Sequence, residues 1–355
     1  QMYVDDPVFI AQGTLSHAAR GITVALLWLN ILGLPLAWNK SDGGHAITWI
    51  GARLSTSPGE FTVTIPEDKV KDLISSISDV LKHNVASRRT LRSITGKLSF
   101  VAGLVPQLRP FLSPLWAISA GISTNDGTPE GTAVPDALFQ KHGLPKHLVH
   151  VNRVKGALSW ALALLRREAG ALTRVHPMSP TQPHHILGLT TDASPWGMGA
   201  VLTRQGTPIA WMADTLHRED LDRFSATMGD SAFTTTWEAL TILVALRLWR
   251  PLFPEARFAL RSDSLGALAA IAKSASPSKG LSLILQEIAL DEAGQVWGFE
   301  SLTHIPGVSN TIADPLSRLF APDAKPIPDC LNRVPRATVP RRISTWWATT
   351  NRQPR

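Results

Sequence analysis

Apolar side chains that recur three and four positions apart predict helices in the first half of the chain. One helix follows Pro66, and a second follows Ser87 and ends at Pro106, because proline lacks the amide hydrogen that a helix interior needs. Their apolar stripes are Val70, Leu73, Ile74, Ile77 and Leu81, then Leu91, Ile94, Leu98, Val101 and Val105. Each stripe needs a core to face, so we expect both helices to pack against other elements.

Strand patterns and a further helix precede Pro66. A helical stretch covers 15–32, and two short strands at 47–52 and 61–65 are separated by a Ser-Pro-Gly turn at 57–59. We therefore expect a strand hairpin in this region.

The second half alternates strands and helices. Residues 186–319 show three strand-like runs, a long helix, a strand, two helices, a strand and a final short helix, which is typical of a mixed sheet flanked by helices. Linker-like segments lie at 121–136 and 177–185, with a helix at about 151–168 between them. After Phe320, proline and arginine are frequent and apolar periodicity is lost, so we expect a disordered tail.

Composition adds a modest electrostatic signal. The 355 residues are 44 % apolar and 18 % charged, which is enough for at least two domains with buried cores. The net charge of +7 suggests a polyanionic partner, but residues 320–355 alone hold seven Lys or Arg and two Asp. The rest of the chain is therefore only mildly basic.

A single cysteine, Cys330, excludes an internal disulfide and a cysteine-rich zinc site. The longest apolar stretch, 22–36, is too short and too broken by Asn30, Gly33 and Pro35 to span a bilayer. We expect an intracellular protein, in the cytoplasm, the nucleus or a virus-like particle, with no membrane partner.

Four acidic residues stand where elements of the second half begin or end. Asp192 closes a strand, Glu238 lies about one turn into a helix, Asp263 closes another strand, and Asp314 lies near the start of the last helix. Such positions can converge at one sheet edge. Phosphodiester hydrolysis uses two hard cations, which prefer carboxylate oxygens. Taken singly, each acid fits a solvated cap or turn residue better than a metal ligand, and only the order and context of all four favour the metal site.

The segments that contain these acids are Thr191-Asp-Ala-Ser with Gly197-Met-Gly-Ala-Val, Trp237-Glu-Ala-Leu, Arg261-Ser-Asp-Ser and Ala313-Asp-Pro-Leu-Ser-Arg. In this order they resemble the ribonuclease H domain of long-terminal-repeat and DIRS-type retrotransposons, over the whole length of that domain. The resemblance implies hydrolysis of RNA in RNA–DNA hybrids with two Mg²⁺ ions, or Mn²⁺, bound by Asp192, Glu238, Asp263 and Asp314.

Two further residues bear on this resemblance. His304 stands ten positions before Asp314, where cellular ribonucleases H carry a mobile histidine that aids product release, although a structural histidine at a strand end is an equal alternative. Pro315 departs from the pattern because proline disturbs a helix interior. Either the last helix begins near Asp314, or that acid is displaced.

The N-terminal segment Tyr3-Val-Asp-Asp, followed by Val8-Phe9-Ile10, resembles the catalytic hairpin of reverse transcriptases. The resemblance implies that Asp5 and Asp6 bind metal for nucleotidyl transfer. Residues 48–55 and 61–66 resemble the hairpin that holds the primer strand, and the two helices that follow take the place of the polymerase thumb. Expected contacts to template–primer nucleic acid are Tyr3, Trp49, Gly51, Arg88, Arg92 and Lys97. Ordinary hairpin packing and a solvated basic face remain alternatives for these residues.

The resulting fold class is α/β, in which an α+β palm remnant and a helical thumb precede a ribonuclease H-like mixed five-stranded sheet with flanking helices. The expected order is a palm remnant at 1–65, thumb-like helices at 66–120, a connection at 121–185, a ribonuclease H domain at 186–320 and a disordered basic tail at 321–355.

Other functions stay open at this point. A truncated palm and a basic tail would also suit a non-catalytic nucleic-acid-binding relic of a retroelement, although the intact set of four acids argues against it. An integrase or another nuclease with the same sheet topology would carry similar acids, but the Trp237-Glu context and the upstream thumb favour ribonuclease H. Trp346 and Trp347 in the tail could stack on bases, or belong to a spacer.

The polymerase part generates a first prediction. The fingers of the family, and the palm strand with another metal-binding acid, have no counterpart in this sequence, so Asp5 and Asp6 lack a partner and we expect no polymerisation by this chain alone. The measurement is extension of a labelled primer on its template with nucleotides and Mg²⁺. Extension clearly above that of a double variant with Asp5→Asn and Asp6→Asn would contradict it.

Overall fold

The structure, a computed structural model, describes residues 2–3, 6–120, 145, 147–168, 170–178, 186–253, 256–293 and 299–351. The linker expected at 121–136, and most of the one at 177–185, lie outside the described residues. The chain divides into two compact units. Unit 1 consists of Gln1–Lys71 and Leu172–Gln182, and unit 2 of Asp72–Ala171 and Pro183–Arg355.

The elements are numbered along the chain. The strands are β1 (Met2–Tyr3), β2 (Asp6–Pro7), β3 (Ala46–Trp49), β4 (Ala52–Ser57), β5 (Glu60–Thr64), β6 (Val85–Ser87), β7 (Leu148–His150), β8 (Thr173–Pro177), β9 (Ile186–Ala193), β10 (Gly197–Arg204), β11 (Thr207–Thr215), β12 (Arg257–Ser262) and β13 (Phe299–His304). The helices are α1 (Leu15–Ile31), α2 (Glu67–Lys82), α3 (Arg88–Leu104), α4 (Arg109–Ala120), α5 (Lys155–Leu165), α6 (Arg218–Phe224), α7 (Thr234–Trp249), α8 (Leu265–Lys273), α9 (Lys279–Ala293), α10 (Ala313–Ser317) and α11 (Ala348–Asn351).

Unit 1 contains a four-stranded antiparallel sheet in the order β3-β4-β5-β8. Its first hairpin reverses at Ile50 and Gly51, both of which have positive φ angles. The expectation of one strand over 47–52 is therefore wrong, because glycine at the second turn position lets the chain fold back there. The other expected reversal, at 57–59, joins β4 to β5.

Helix α1 confirms the helix expected at 15–32. The side chain of Thr14 caps its first turn by accepting a hydrogen bond from the backbone amide of His17 at 3.3 Å. Apolar side chains on this helix, including Leu27 and Trp28, are exposed. Within the described residues, no helix combines the length and the apolar content needed to cross a lipid bilayer.

Unit 2 is built on a mixed five-stranded sheet in the order β11-β10-β9-β12-β13. Neighbours among β9, β10 and β11 are antiparallel, whereas β12 runs parallel to both β9 and β13. Side-chain alternation sends Ala200, Leu202 and Met212 into a large core with α7, α8 and α9, and sends Val201 and Trp211 to the opposite face, where α10 packs. The predicted mixed α/β fold with flanking helices is confirmed.

Both helices expected at the thumb position are present, and the second, α3, lies wholly in the same unit. Ser87 caps α3, since its hydroxyl accepts a hydrogen bond from the amide of Thr90 at 3.0 Å. The predicted stripe is the buried face of α3, which packs against α4. Helix α4 in turn packs against α9, where the Gln286 amide donates to the carbonyl of Pro110 at 3.2 Å. The α3–α4 pair and the five-stranded sheet therefore share one compact unit.

The segment after Phe320 returns to the sheet. Its backbone meets Trp211 in the edge strand β11. The Trp211 amide donates to the carbonyl of Pro335 at 3.2 Å, and the amide of Ala337 donates to the carbonyl of Trp211 at 2.7 Å. The tail thus covers hydrogen-bonding groups that an edge strand otherwise leaves open.

A buried arginine fastens this tail. Arg342 is 1 % exposed and donates to both carboxylate oxygens of Asp220, at 2.8 and 2.7 Å, and to Asp214 at 2.8 Å. Trp347 is wholly buried, and its indole N–H donates to the carbonyl of Arg342 at 3.1 Å. The buried carboxylate of Glu287 accepts two backbone amides of α11, at 2.8 and 2.7 Å.

The expectation of a disordered tail is therefore wrong for residues 321–351, and 352–355 lie outside the described residues. Apolar periodicity did not reveal this order, because single charged and aromatic side chains such as Arg342 and Trp347 hold the tail in place. Base stacking by Trp347 is excluded by its burial, and Trp346 lies under the guanidinium of Arg247 at 4.3 Å.

A stability prediction follows from the tail. Replacing Arg342 by Ala leaves the carboxylate of Asp220 buried without its partner, so the free energy of unfolding should fall by about 3–5 kcal/mol. Urea denaturation measures it. The adjacent Arg341, which is more than half exposed, pairs with Glu219, and Arg341→Ala should cost less than about 1 kcal/mol. Equal losses in the two variants would contradict the anchoring role.

Candidate active site

Two carboxylates meet because β9 and β12 are parallel neighbours. The register of these strands pairs Thr190 with Arg261. Asp192 and Asp263 each lie two residues later in the sequence. Asp192 is 5 % exposed at the end of β9, while Asp263 follows β12 and is partly exposed. The carboxyl ends of two parallel strands therefore present both acids at one sheet edge.

Glu238 on α7 joins this pair. Its Oε1 accepts the backbone amide of Ala193 at 3.0 Å, and its Oε2 accepts the hydroxyl of Ser262 at 3.5 Å. These two residues flank the acids along the chain, one after Asp192 and one before Asp263. Oxygen atoms of the three carboxylates lie within 4.8 Å of one another.

Burial, and then the close approach of the acids, makes ionisation of Asp192 and Glu238 unfavourable. Burial, opposed by a hydrogen bond from Ser317 and supported by the charges of Asp263 and Asp314, raises the pKa of Asp192 to about 7. Burial and then the charge of Asp192 raise the pKa of Glu238 well above its ordinary value. A cation at this position would relieve the repulsion.

The donor set fits a hard divalent cation. It consists of carboxylate oxygens, which suit Mg²⁺ or Mn²⁺ better than softer metals that prefer sulfur or imidazole. Asp192, Glu238 and Asp263 could hold such an ion together.

Asp314 lies outside this 4.8 Å group. Its Oδ1 accepts Arg318 Nε at 2.9 Å, and its Oδ2 accepts a close hydrogen bond from Lys325 in the tail. Although burial raises the pKa of Asp314, these two hydrogen bonds outweigh it and lower that pKa. Of the four acids expected in one pocket, the structure gathers three, and the fourth is near enough for its charge to act on Asp192.

The question raised by Pro315 has a simple answer. Helix α10 begins at Ala313, so Pro315 lies in the first turn, where backbone amides have no intrahelical partner. The helix begins near Asp314, and the proline does not break it.

Asn310 and Ser317 were not among the expected site residues. The Asn310 side-chain amide donates to Asp192 Oδ1 at 3.1 Å, and the Ser317 hydroxyl lies 2.5 Å from Asp192 Oδ2. Both are buried. A signal was available, because both lie in the segment 310–318 that carries Asp314.

His304 ends β13 beside Asp263. Its Nε2 lies 3.1 Å from the carbonyl oxygen of Asp263, and the side chain is exposed. The loop that follows also approaches this acid, since a Cβ on Gly307 would lie 3.1 Å from Asp263 Oδ2. The structure thus brings His304 to the rim of the carboxylate cluster.

The expected polymerase residues fall in unit 1. Strands β1 and β2 pair antiparallel, with Tyr3 opposite Asp6, as a hairpin requires. Asp5 lies outside the described residues, and of Tyr3 and Asp6 only the backbone is described. Trp49 ends β3, and the carbonyl of Gly51 in the following turn accepts Lys69 Nζ at 3.1 Å. Metal and nucleic-acid roles for these residues stay predictions.

The basic residues expected to meet phosphates lie on α3 in unit 2. Arg92 donates to the carbonyl of Ser119 at 3.2 Å, and Lys97 pairs with Asp72 at 2.5 Å. Arg88 is partly exposed at the first position of the helix. Arg92 and Lys97 thus also have structural contacts, and their binding role stays a prediction.

No protein-family model matches the chain, and no curated protein is similar enough to match. Among solved structures, it is similar to the RNase H1 of the halophilic archaeon Halobacterium salinarum NRC-1, at 23 % identity, 39 % of this chain, 99 % of that chain and a TM-score of 0.30. It is also similar to the foamy viral protease-reverse transcriptase in complex with RNA/DNA hybrid, at 14 % identity, 90 % of this chain and a TM-score of 0.30. The match spans 35 % of the viral protein's length.

A pH prediction follows from the raised pKa of Asp192. In the metal-free protein this acid keeps its proton up to about pH 7 when folded but only to about 3.8 when unfolded, so its contribution to stability is full below about pH 3.8 and is lost progressively as pH rises from there to about 7. Between pH 5 and 8 in EDTA, the free energy of unfolding of the wild type should therefore fall by about 2.5 kcal/mol more than that of Asp192→Asn.

Urea denaturation at the two pH values measures the difference. Asp222→Asn, on an exposed side chain of α6, serves as the control and should follow the wild type. An identical pH response of wild type and Asp192→Asn would count against the buried acidic cluster.

Proposed function

We propose that residues 186–320 form a ribonuclease H that hydrolyses the RNA strand of RNA–DNA hybrids. The observation that carries this proposal is the cluster of Asp192, Glu238 and Asp263, with oxygens within 4.8 Å, at the carboxyl ends of adjacent parallel strands. Each acid lies in one of the segments that resemble retrotransposon ribonuclease H. The sheet topology, the carboxylate ligands and the sequence segments thus support the same activity.

The proposed cofactor is a pair of Mg²⁺ ions, with Mn²⁺ as a substitute. When bound, such ions activate water and stabilise the leaving oxygen of the phosphodiester. The residues of the chain would bind the ions and release the product. Asp192, Glu238 and Asp263 would bind the ions, and Asp314 would join them once its carboxylate gives up the hydrogen bond from Lys325. His304, exposed beside Asp263, would assist departure of the product.

The proposed substrate is the RNA–DNA hybrid. The protein would distinguish it from duplex DNA by the RNA 2′-hydroxyls and by the shape of the minor groove. Arg88, Arg92 and Lys97 on α3 would meet its phosphates outside the cleavage site. We further propose that the chain derives from a DIRS-type or gypsy-type retrotransposon reverse transcriptase. In that setting residues 1–65 belong to the palm, with Asp5 and Asp6 as metal ligands and Tyr3, Trp49 and Gly51 near the primer.

A non-catalytic nucleic-acid-binding relic is the second candidate. One observation favours it: both oxygens of Asp314 accept hydrogen bonds from cationic side chains, Arg318 and Lys325. If those contacts do not open, one of the four expected ligands stays unavailable. Cleavage of hybrid by the wild type would decide against this candidate.

The test is cleavage of labelled RNA in an RNA–DNA hybrid with Mg²⁺. Asp192→Asn should lower the rate by more than about 100-fold, since even residues behind the metal ligands are worth 10–100-fold. Asp222→Asn should cleave at the wild-type rate. Double-stranded DNA of the same sequence should stay intact, and EDTA should stop cleavage of the hybrid. Equal rates for wild type and Asp192→Asn would rule out the proposed site.

A further inference from the structure

Helix α10 lies unusually close to strand β10. A Cβ atom on Gly199 would lie 2.5 Å from the Cβ of Leu316, 2.6 Å from the amide nitrogen of Ser317 and 2.7 Å from the carbonyl oxygen of Ala313. A Cβ on Gly197 would lie 3.0 Å from the carbonyl oxygen of Ser317. Such distances exclude any side chain at position 199, so glycine there permits the helix backbone to rest on the strand.

A hydrogen bond fixes the end of this helix. The hydroxyl of Ser194, just after β9, donates to the carbonyl oxygen of Ser317 at 2.7 Å. Ser194 and Ser317 are both 1 % exposed or less. The last residue of α10 is therefore held from two sides, by the surface of β10 and by the end of the strand that carries Asp192.

The same helix end reaches the carboxylate. Ser317 Oγ lies 2.5 Å from Asp192 Oδ2, and Asn310 Nδ2 lies 3.1 Å from Asp192 Oδ1 and 3.2 Å from the carbonyl oxygen of Thr191. Each carboxylate oxygen thus receives one neutral donor from the segment 310–317. An ionised carboxylate oxygen accepts about two hydrogen bonds, so each oxygen keeps a lone pair for another ligand.

We propose that Ser317, assisted by Asn310, is a positioning residue that holds the Asp192 carboxylate in the orientation in which it binds a divalent cation together with Glu238 and Asp263. The inference rests on the proposed function and extends it to two residues with no role there. Donors behind a ligating carboxylate orient it, and their loss weakens metal binding 10- to 100-fold.

A purely structural role makes a different prediction. Ser317 Oγ also lies 3.0 Å from the carbonyl oxygen of Asp314, one turn earlier, and a hydroxyl that served that contact would stabilise the helix alone. Its removal would lower the melting temperature and leave the affinity for metal unchanged. Metal affinity, measured without substrate, therefore separates the two roles.

The experiment measures Mn²⁺ binding to the full chain by the paramagnetic resonance signal of free Mn²⁺, with no nucleic acid present. Ser317→Ala should raise the Kd for Mn²⁺ about 10-fold. In hybrid cleavage the variant should show a lower kcat at limiting Mn²⁺, an unchanged KM for the hybrid, and recovery of kcat at high Mn²⁺. In a variant that is already folded without metal, recovery by metal is a readout that a purely structural role would not give.

Ser119→Ala is the matched control. Ser119 is 1 % exposed at the end of α4, and its hydroxyl also donates to a helix carbonyl, that of Trp116, at 2.9 Å. This variant should bind Mn²⁺ as the wild type does. If Ser317→Ala does not fold, Ser317→Cys keeps the side-chain shape with a weak donor, and its Kd for Mn²⁺ should rise in the same direction.

An unchanged Kd in a folded Ser317 variant would overturn the inference while hybrid cleavage by the wild type leaves the proposed function intact. Loss of folding in both Ser317 variants would also overturn it, because the hydroxyl would then be required for the fold. A wild type that neither binds Mn²⁺ nor cleaves hybrid would refute the proposed function itself.

Discussion

Three carboxyl groups brought together at one end of the central strands, two of them buried, are the constraint around which unit 2 is arranged. Buried acids elsewhere in this unit have arginine partners: Asp220 accepts from Arg342, and Glu287 accepts from Arg247 at 2.6 Å. Asp192 and Glu238 differ. Among the described residues, their hydrogen-bond donors are a serine, an asparagine and a backbone amide, together with the hydroxyl of Ser262. Neutral donors orient a carboxylate without cancelling its charge, so a proton or a bound cation can compensate it.

Helices on both faces of the sheet hold the carboxyl groups in place. On one face, α7 supplies Glu238 from a helix that is buried along nearly its whole length, so this carboxylate has little freedom to move away. On the other face, α10 approaches so closely that glycine is needed beneath it. The acids are therefore held between a rigid apolar core and a short helix with a polar end. Close packing on both sides keeps like charges together at a distance that flexible side chains would avoid.

Much of this arrangement could be predicted from the sequence, because it depends on local patterns. The strand and helix order of unit 2, and the placement of Asp192, Glu238 and Asp263 at element ends, follow from periodicity and motif. The features that the sequence did not predict have two causes. The turn at Ile50 and Gly51 depends on backbone angles that hydrophobicity does not encode. The contact of Lys325 with Asp314, and that of Arg342 with Asp220, join residues 11 and 122 positions apart, and only the folded chain reveals them.

The tail also extends the folded unit beyond its sequence motifs. The sequence motifs finish at Arg318, yet the buried carboxylate of Asp220 pairs with Arg342, and Glu287, which also pairs with Arg247, accepts the backbone amides of Ala348 and Thr349. A shortened chain that stopped after the last motif would leave Asp220 buried without its arginine, would remove two hydrogen bonds from Glu287, and would expose the outer strand to pairing with other molecules. The segment that must be present for the unit to fold is thus longer than the segment that carries the motifs, and a protease that cut inside the proline-rich segment would weaken the fold without touching the carboxylate cluster.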